Sequence, residues 1–379
     1  MPTIVFAQFA GTSLWFAGNA ILPSIQASWE LPDNVIANVT SSVMLGFIIG
    51  TFLFALFSVA DRFKSSHVFL SCAVLGALSN IAILIFPESY LLLLLGRFLT
   101  GFFLAGIYPV GMKIASDWFS GNLGKALGYL ISALVIGTAF THLLNYLDTG
   151  LSWKAVLIGT SILALIGGLL IFLFVGDGPH RKTGSRFEPQ KIVDVFKIKG
   201  FRSAAFGYFG HMWELYTFWA FLPFILTFYN QQYNSDINVS LWTFIIMASG
   251  AIGCIAGGIS SLKVGSGKVA FRFLLASGLL CLLSPLFFNA PPTVFLGLLI
   301  IWGIAVIGDS AQFSTLNAQT APPEFKGTAL TIAVSIGFLL TIPSIQLLGF
   351  LSDQINTKWL MITLVVGPIF GLIYTKKLI

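Results

Sequence analysis

Twelve stretches of spanning length, each mostly apolar, succeed one another along 379 residues and leave little chain between them. They fall near 3–27, 37–60, 67–86, 90–117, 125–147 and 154–176, then, after a polar segment, near 201–229, 240–263, 269–288, 294–319, 328–350 and 356–376. A helix needs about 20 apolar residues to cross the hydrocarbon core of a bilayer. With 9% charged residues against 56% hydrophobic ones, this chain cannot build a water-facing surface, for which soluble domains use about 25% charge. The solvent that fits such a chain is lipid. There each backbone polar group must be satisfied within its own segment, so the stretches read as helices; barrel strands would be shorter and would alternate. The expected fold class is therefore an all-α membrane protein with twelve transmembrane helices.

The basic residues give these helices an orientation. If the loop holding Arg62 and Lys64 is placed in the cytoplasm, every Lys and Arg of the 20 follows it there except Lys154, Lys358 and the intrahelical Arg97. Both termini then lie inside, in a multi-pass protein of the cell membrane (the inner membrane in a Gram-negative source). The formal charge of +6 thus reports topology, with a secondary attraction to anionic lipid, and gives no reason to expect nucleic acid. The apolar N-terminus lacks a basic n-region and reads as a first helix, not a cleaved signal.

The helices divide six and six. Residues 1–176 and 201–379 are expected to form two six-helix bundles, joined by a cytoplasmic linker, 177–200. Within that linker Ile192, Val193, Val195 and Phe196 alternate with charges, which fits either a short interfacial helix or a solvated tether. The halves read as pseudo-repeats: Gly124-Lys125-Ala126-Leu127 opens the fifth helix and Gly327-Thr328-Ala329-Leu330 the eleventh. Two six-helix repeats around a central site are a transporter architecture. Glycines four apart, Gly46 with Gly50 and Gly253 with Gly257, permit close helix contact. Cys72, Cys254 and Cys281 lie in apolar runs without ligand spacing and read as small buried hydrophobes. No cofactor and no metal is expected, and a monomer suffices.

Three local features then resemble the major facilitator superfamily, over nearly the whole chain. The loop after the second helix, Val59-Ala60-Asp61-Arg62-Phe63-Lys64, looks like that family's acidic-basic loop. Arg97-Phe98-Leu99-Thr100-Gly101 in the fourth helix is similar to its Arg-x-x-x-Gly motif, and the Gly-x-Ala-Leu strings follow the corresponding loops. There are departures: Phe57 replaces the glycine before Asp61, Ser65 and Ser66 thin the basic residues after it, and Ser260-Ser261-Leu262-Lys263 lacks the acid. The fifth helix lacks the glycine-proline signature of drug–proton antiporters, and the glycine-rich signatures of nitrate porters are missing. No branch is assigned. The resemblance implies alternating access by rocking of two bundles, with Asp61 and Arg62 in a cytoplasmic latch.

Ionisable residues inside the helices carry the most information, because a charge at membrane depth costs at least about 2.5–3.5 kcal/mol. Arg97 in the fourth helix can clamp an oxyanion with two parallel bonds, with Tyr108 on a similar face; pairing with a helix end or carboxylate is the alternative. His211 and Glu214 are three apart, neighbours on one helical face, and read as a proton-exchanging pair or a static one. Asp309 and Gln312 open a polar run on the tenth helix; Asp309 could bind a cation or amine, relay protons, or pair with Arg97. Trp15 and Asn19, on the first helix with Gln8 and Thr12 alongside, suit a polar solute, as do, more weakly, His142 and Asn145 on the fifth. All these residues can equally serve as interhelical glue.

The leading expectation is a secondary active transporter for a small polar or anionic organic solute, coupled to protons or another ion, with Arg97 holding the anion and Glu214 with His211 carrying the proton. The alternative is an efflux pump for amphipathic or toxic compounds. A membrane-embedded enzyme is the third reading; the sequence has no metal cluster, nucleophile elbow or phosphate loop to support it.

Overall fold

A computed structural model of the chain describes residues 1–26, 29–32, 34–85, 88–119, 123–147, 153–180, 192–322 and 326–379. All regular structure among them is helical. The spanning helices are α1 (Pro2–Ile25), α2 (Val35–Leu56), α3 (Ser65–Ala82), α4 (Tyr90–Trp118), α5 (Leu123–Leu147), α6 (Lys154–Val175), α7 (Lys199–Tyr233), α8 (Val239–Val264), α9 (Ser266–Phe287), α10 (Pro292–Thr320), α11 (Lys326–Ser352) and α12 (Thr357–Leu378). Eleven of these are apolar enough throughout to cross a membrane. The other, α7, has 35 residues and is diluted by Lys199, Arg202, His211 and Glu214.

The chain divides into two compact units, Met1–Glu188 and Pro189–Ile379. In the first, α1 packs on α5 and α6, α2 on α4, and α3 on α4 and α6. In the second, α7 packs on α11 and α12, α8 on α10, and α9 on α10 and α12. Adding six to each helix number turns one set of neighbours into the other. The same contacts use the same chemistry. A Cβ on Gly46 would come within 1.9 Å of the Phe98 carbonyl oxygen, and one on Gly101 within 2.0 Å of that of Val43. In the second unit Gly253 meets the Ile304 oxygen at 2.2 Å and Gly303 that of Ile246 at 2.2 Å. Glycine here lets the backbones touch, which is the main source of helix attraction where lipid is as apolar as the protein.

The polar middle segment is shared between the units. Asp177 accepts from the Ser66 backbone N–H at 3.3 Å, at the start of α3, where a carboxylate meets the free N–H groups and positive end of the helix. The His180 N–H donates to the Asp117 carbonyl at 3.0 Å. On the far side a short helix, Ile192–Lys197, lays Phe196 against Phe201, Phe206 and Phe209 of α7. The described ends of this segment are thus docked.

The spans α1, α4 and α10 break within the helix, and α12 opens in 3-10 turns before Val366. In α1 the break runs from Ser13 to Phe16. The Thr12 and Ser13 hydroxyls bond back to the carbonyls of Gln8 and Ala10, which competes with the regular ladder. In α4 the helix stops at Leu104 and restarts at Tyr108, because Pro109 has no N–H and restricts the residue before it; Ala105, Gly106 and Ile107 tighten into i−3 bonds. In α10 it breaks at Asp309.

Candidate functional site

In the first unit, Arg97 is fully buried. Its Nη2 donates to the carbonyls of Leu14 at 2.8 Å and Trp15 at 2.6 Å. These are acceptors that the break in α1 strips of their helical partners. Nη1 donates to Asn80 Oδ1 at 3.0 Å, and Asn80 in turn donates to the Leu157 carbonyl and to Thr160 and Ser161 of α6. The arginine stem lies against Gly18, where a Cβ would meet its Cδ at 2.6 Å. Arg97 therefore commits three N–H donors to Leu14, Trp15 and Asn80, and its Nε is buried without a hydrogen-bond partner among the described residues. The tie to a helix end, the alternative in the sequence, is what the geometry presents.

Trp15 lies in the break, its ring 4.9 Å from Phe47 and 6.4 Å from Tyr108. Tyr108 begins the second segment of α4, and its ring lies beside Trp15, whose carbonyl Arg97 holds. Asn19 donates to Thr40 Oγ1 at 2.6 Å, and its Oδ1 has no partner among the described residues. Both amide atoms of Gln8 are buried without a partner there, as is His142 Nε2; Asn145 is half-buried on the same helix. Arg62 is exposed at the end of a short helix, Val59–Arg62, and the Asp61 side chain lies outside the described residues. Lys113 tethers the loop, its Nζ donating to the Ala60 carbonyl at 2.7 Å.

In the second unit, the expected His211–Glu214 pair is not made. Helical spacing put both on one face, but each finds a nearer partner on another helix. Glu214 Oε1 accepts from Trp302 Nε1 at 2.7 Å, from Cys281 Sγ at 3.1 Å and from the Ser277 hydroxyl. One carboxylate oxygen thus joins α7 to α9 and α10. His211 Nδ1 lies 2.8 Å from Asp309 Oδ1, across from α7 to the break in α10. Asp309 therefore has this partner inside its own unit. Both members of the pair are at most 1% exposed. The His211 ring lies 6.0 Å from Tyr208 and 5.9 Å from Phe313. His211 Nε2, Asp309 Oδ2 and Gln312 Oε1 are buried with no hydrogen-bond partner among the described residues. Thr217 and Ser344 add a hydroxyl pair between α7 and α11, closed onto the Trp213 carbonyl.

Asn80, Trp302 and Ser277 were not singled out from sequence, and Cys281, read there as a small buried hydrophobe, also donates to Glu214. Asn80 carried a signal, an amide in the middle of an apolar stretch. Trp302, Ser277 and Cys281 carried none, since each is ordinary in a membrane helix. Among the described residues no group of His, Cys, Asp and Glu could hold a metal.

The Major Facilitator Superfamily profile matches residues 4–342. The chain is similar to the uncharacterized protein Cj0987c of Campylobacter jejuni, 26% identical over 292 residues, covering 74% of this chain and 86% of that one. It is also similar to the putative metabolite transport protein YyaJ of Bacillus subtilis, 23% identical, covering 90% and 83% respectively. Among solved structures, a bacterial homologue of the human lysosomal transporter Spinster, inward-facing and occupied, superposes with a TM-score of 0.74 over 99% of this chain and 95% of that one, at 14% identity.

Proposed function

The chain belongs to the major facilitator superfamily, a family of transporters and not of enzymes, and from that premise we propose that it is a secondary active carrier of a small polar organic solute. It works by alternating access and is driven by protons. The single observation that carries the coupling is the buried pair of His211 and Asp309 at the break in α10. An imidazole in contact with a carboxylate can take up or release a proton, and with it change charge. At membrane depth the cost of charge makes that change depend on which aqueous side is open.

The proton role expected of Glu214 passes to Asp309, because Glu214 already accepts three hydrogen bonds on one oxygen. The anionic version of the solute loses its clamp, because Arg97 holds carbonyls of α1. Support for a metabolite-sized solute comes from the relative in Bacillus subtilis, described as a putative metabolite transporter.

The test is proton movement in proteoliposomes. Counterflow of metabolite mixtures, followed by mass spectrometry, identifies a solute; an imposed pH gradient should then concentrate it. Asp309→Asn should keep counterflow and lose gradient-driven accumulation. Full accumulation in that variant would remove the pair from the coupling.

A further inference from the structure

We propose that the corner of the second unit where α8 ends, α9 begins and α12 ends is a binding site for the phosphate headgroup of an anionic phospholipid. The inference stands apart from the solute and from its coupling.

Three observations lead to it. The first comes from the repeat. In the first unit the start of α3 takes a carboxylate: Asp177, just beyond α6, accepts from the N–H and from the hydroxyl of Ser66, the second residue of α3. An anion there meets free N–H groups and the positive end of the helix. Adding six turns α3 into α9 and α6 into α12. The counterpart of Ser66 is then Gly267, the second residue of α9. The end of α12 does come to it, since a Cβ on Gly267 would press on the Leu378 carbonyl oxygen. What α12 brings is not an acid. It ends in Lys376 and Lys377, and the first turn of α9 has no side-chain cap.

The second is charge. Gly265, with a φ of 86°, turns the chain from α8 into α9 in a single residue. Lys263 in the last turn of α8 and Lys268 in the first turn of α9 therefore stand close together. Arg272 follows Lys268 by four residues, on the same face. These three, with Lys376 and Lys377, are all exposed. The corresponding loop of the first unit carries Asp61, whereas α8, α9 and α12 contain no Asp or Glu. Among the described residues none of the five cations pairs with a carboxylate side chain; the ion pairs described in this unit are Lys197 with Asp194 and His211 with Asp309. Lys268 also sits where a cation opposes the dipole of its own helix. An anion at this corner relieves both costs.

The third selects the source of the phosphate. Lys263 is flanked by Leu262 and Val264, which are 86% and 38% exposed, and Ile379, beyond Lys377, is 53% exposed. A soluble phosphate has no use for these side chains. A phospholipid offers its headgroup to the ammonium groups and its acyl chains to the aliphatic neighbours, while the lysine stems lie along the apolar surface between. Basic clusters at a membrane surface attract anionic lipid in this way.

The experiment uses the full-length protein in detergent, stripped of lipid. The probes are phosphatidylglycerol, phosphatidylcholine with the same acyl chains and no net charge, and glycerol 3-phosphate, which has the phosphate and no chains. Native mass spectrometry resolves bound lipid and gives affinity, and thermal shift gives the stabilisation on binding. Phosphatidylglycerol is expected to bind about tenfold or more tightly than either of the others. Lys268→Gln combined with Arg272→Gln should weaken it by about tenfold. Arg62→Gln combined with Lys64→Gln removes the same charge from the first unit and should leave the affinity within about twofold. Lys268→Glu supplies the acid from the chain itself, as Asp177 does in the first unit. It should raise the melting temperature of the lipid-free protein and abolish the stabilisation by phosphatidylglycerol, a gain that misfolding cannot imitate. The proposal is overturned if phosphatidylcholine or glycerol 3-phosphate binds as tightly as phosphatidylglycerol, if the Lys268 and Arg272 double variant keeps its affinity, or if phosphatidylglycerol stabilises Lys268→Glu as it does the native protein. Equal losses in the two double variants would also overturn it, and would leave only a diffuse attraction spread over both units.

Discussion

Glu214 and Asp309 are both buried carboxylates of the same unit, and their partners differ. Glu214 receives three donors on one oxygen, so Glu214→Gln, which keeps an acceptor oxygen at that point, should preserve both transport and gradient coupling. Glu214→Ala leaves the Trp302 N–H, Ser277 hydroxyl and Cys281 thiol without an acceptor and should destabilise the protein by on the order of 3 kcal/mol, seen as a lower melting temperature in detergent. Loss of coupling in the glutamine variant, with melting unchanged, would return the proton role to Glu214. Arg97 is argued in the same way. Arg97→Lys keeps the charge but cannot reach Leu14, Trp15 and Asn80 together. It should cost about 1–3 kcal/mol, the price of a buried carbonyl left unpaired, while the solute affinity of the folded fraction stays within about twofold. A large loss of affinity at native stability would restore Arg97 as a solute ligand. The sequence disclosed which residues were costly to bury. It could not disclose their partners, because helical spacing brought His211 and Glu214 to one face while the deciding neighbours, Asp309 and Trp302, arrive from another helix.

At the scale of elements, the helices and their order were legible, since hydrophobic length is a local property. The interruptions were legible only in part. Pro109 is visible to any reader of α4. The break in α1 has no proline or helix-ending glycine run of its own, and depends on hydroxyls bonding back to the ladder and on Arg97 capping the freed carbonyls. The glycine contacts between α2 and α4 and between α8 and α10 follow from spacing and lead to a paired prediction. Gly101→Ala and Gly303→Ala each drive a methyl into a facing carbonyl oxygen, of Val43 and Ile246. Overpacking of this kind costs about 1–3 kcal/mol, so both variants should melt lower. Gly128 and Gly297, where a Cβ meets nothing within 4 Å, should tolerate alanine. Equal tolerance at all four positions would mean that the helix pairs stand farther apart than described.

At the scale of the whole molecule, the repeat is plainer in the packing than in the sequence. Only short strings such as Gly-Lys-Ala-Leu and Gly-Thr-Ala-Leu matched between the halves, whereas every principal helix contact in the first unit has its counterpart in the second. Side chains drift under selection for solubility in lipid, where many apolar residues serve equally, while close backbone contacts tolerate few alternatives. What the halves do not share is polarity at the corresponding places. Around α1, α3 and α4 the fully buried charge among the described residues is Arg97; around α7, α9 and α10 it is Glu214, with the His211–Asp309 pair. Function is therefore expected to be unequal between units that are alike in fold. Orientation tests how the whole chain meets the membrane. The distribution of basic residues predicts that both termini, the Arg62 loop and the segment between α6 and α7 lie in the cytoplasm, and Lys154 and Lys358 outside. A C-terminal green fluorescent protein fusion should therefore fluoresce, while a C-terminal alkaline phosphatase fusion should be inactive. A single cysteine at Lys358, in a background with Cys72, Cys254 and Cys281 changed to alanine, should react with an impermeant maleimide added to intact cells, and one at Lys64 should not. The reverse pattern would invert the molecule in the membrane.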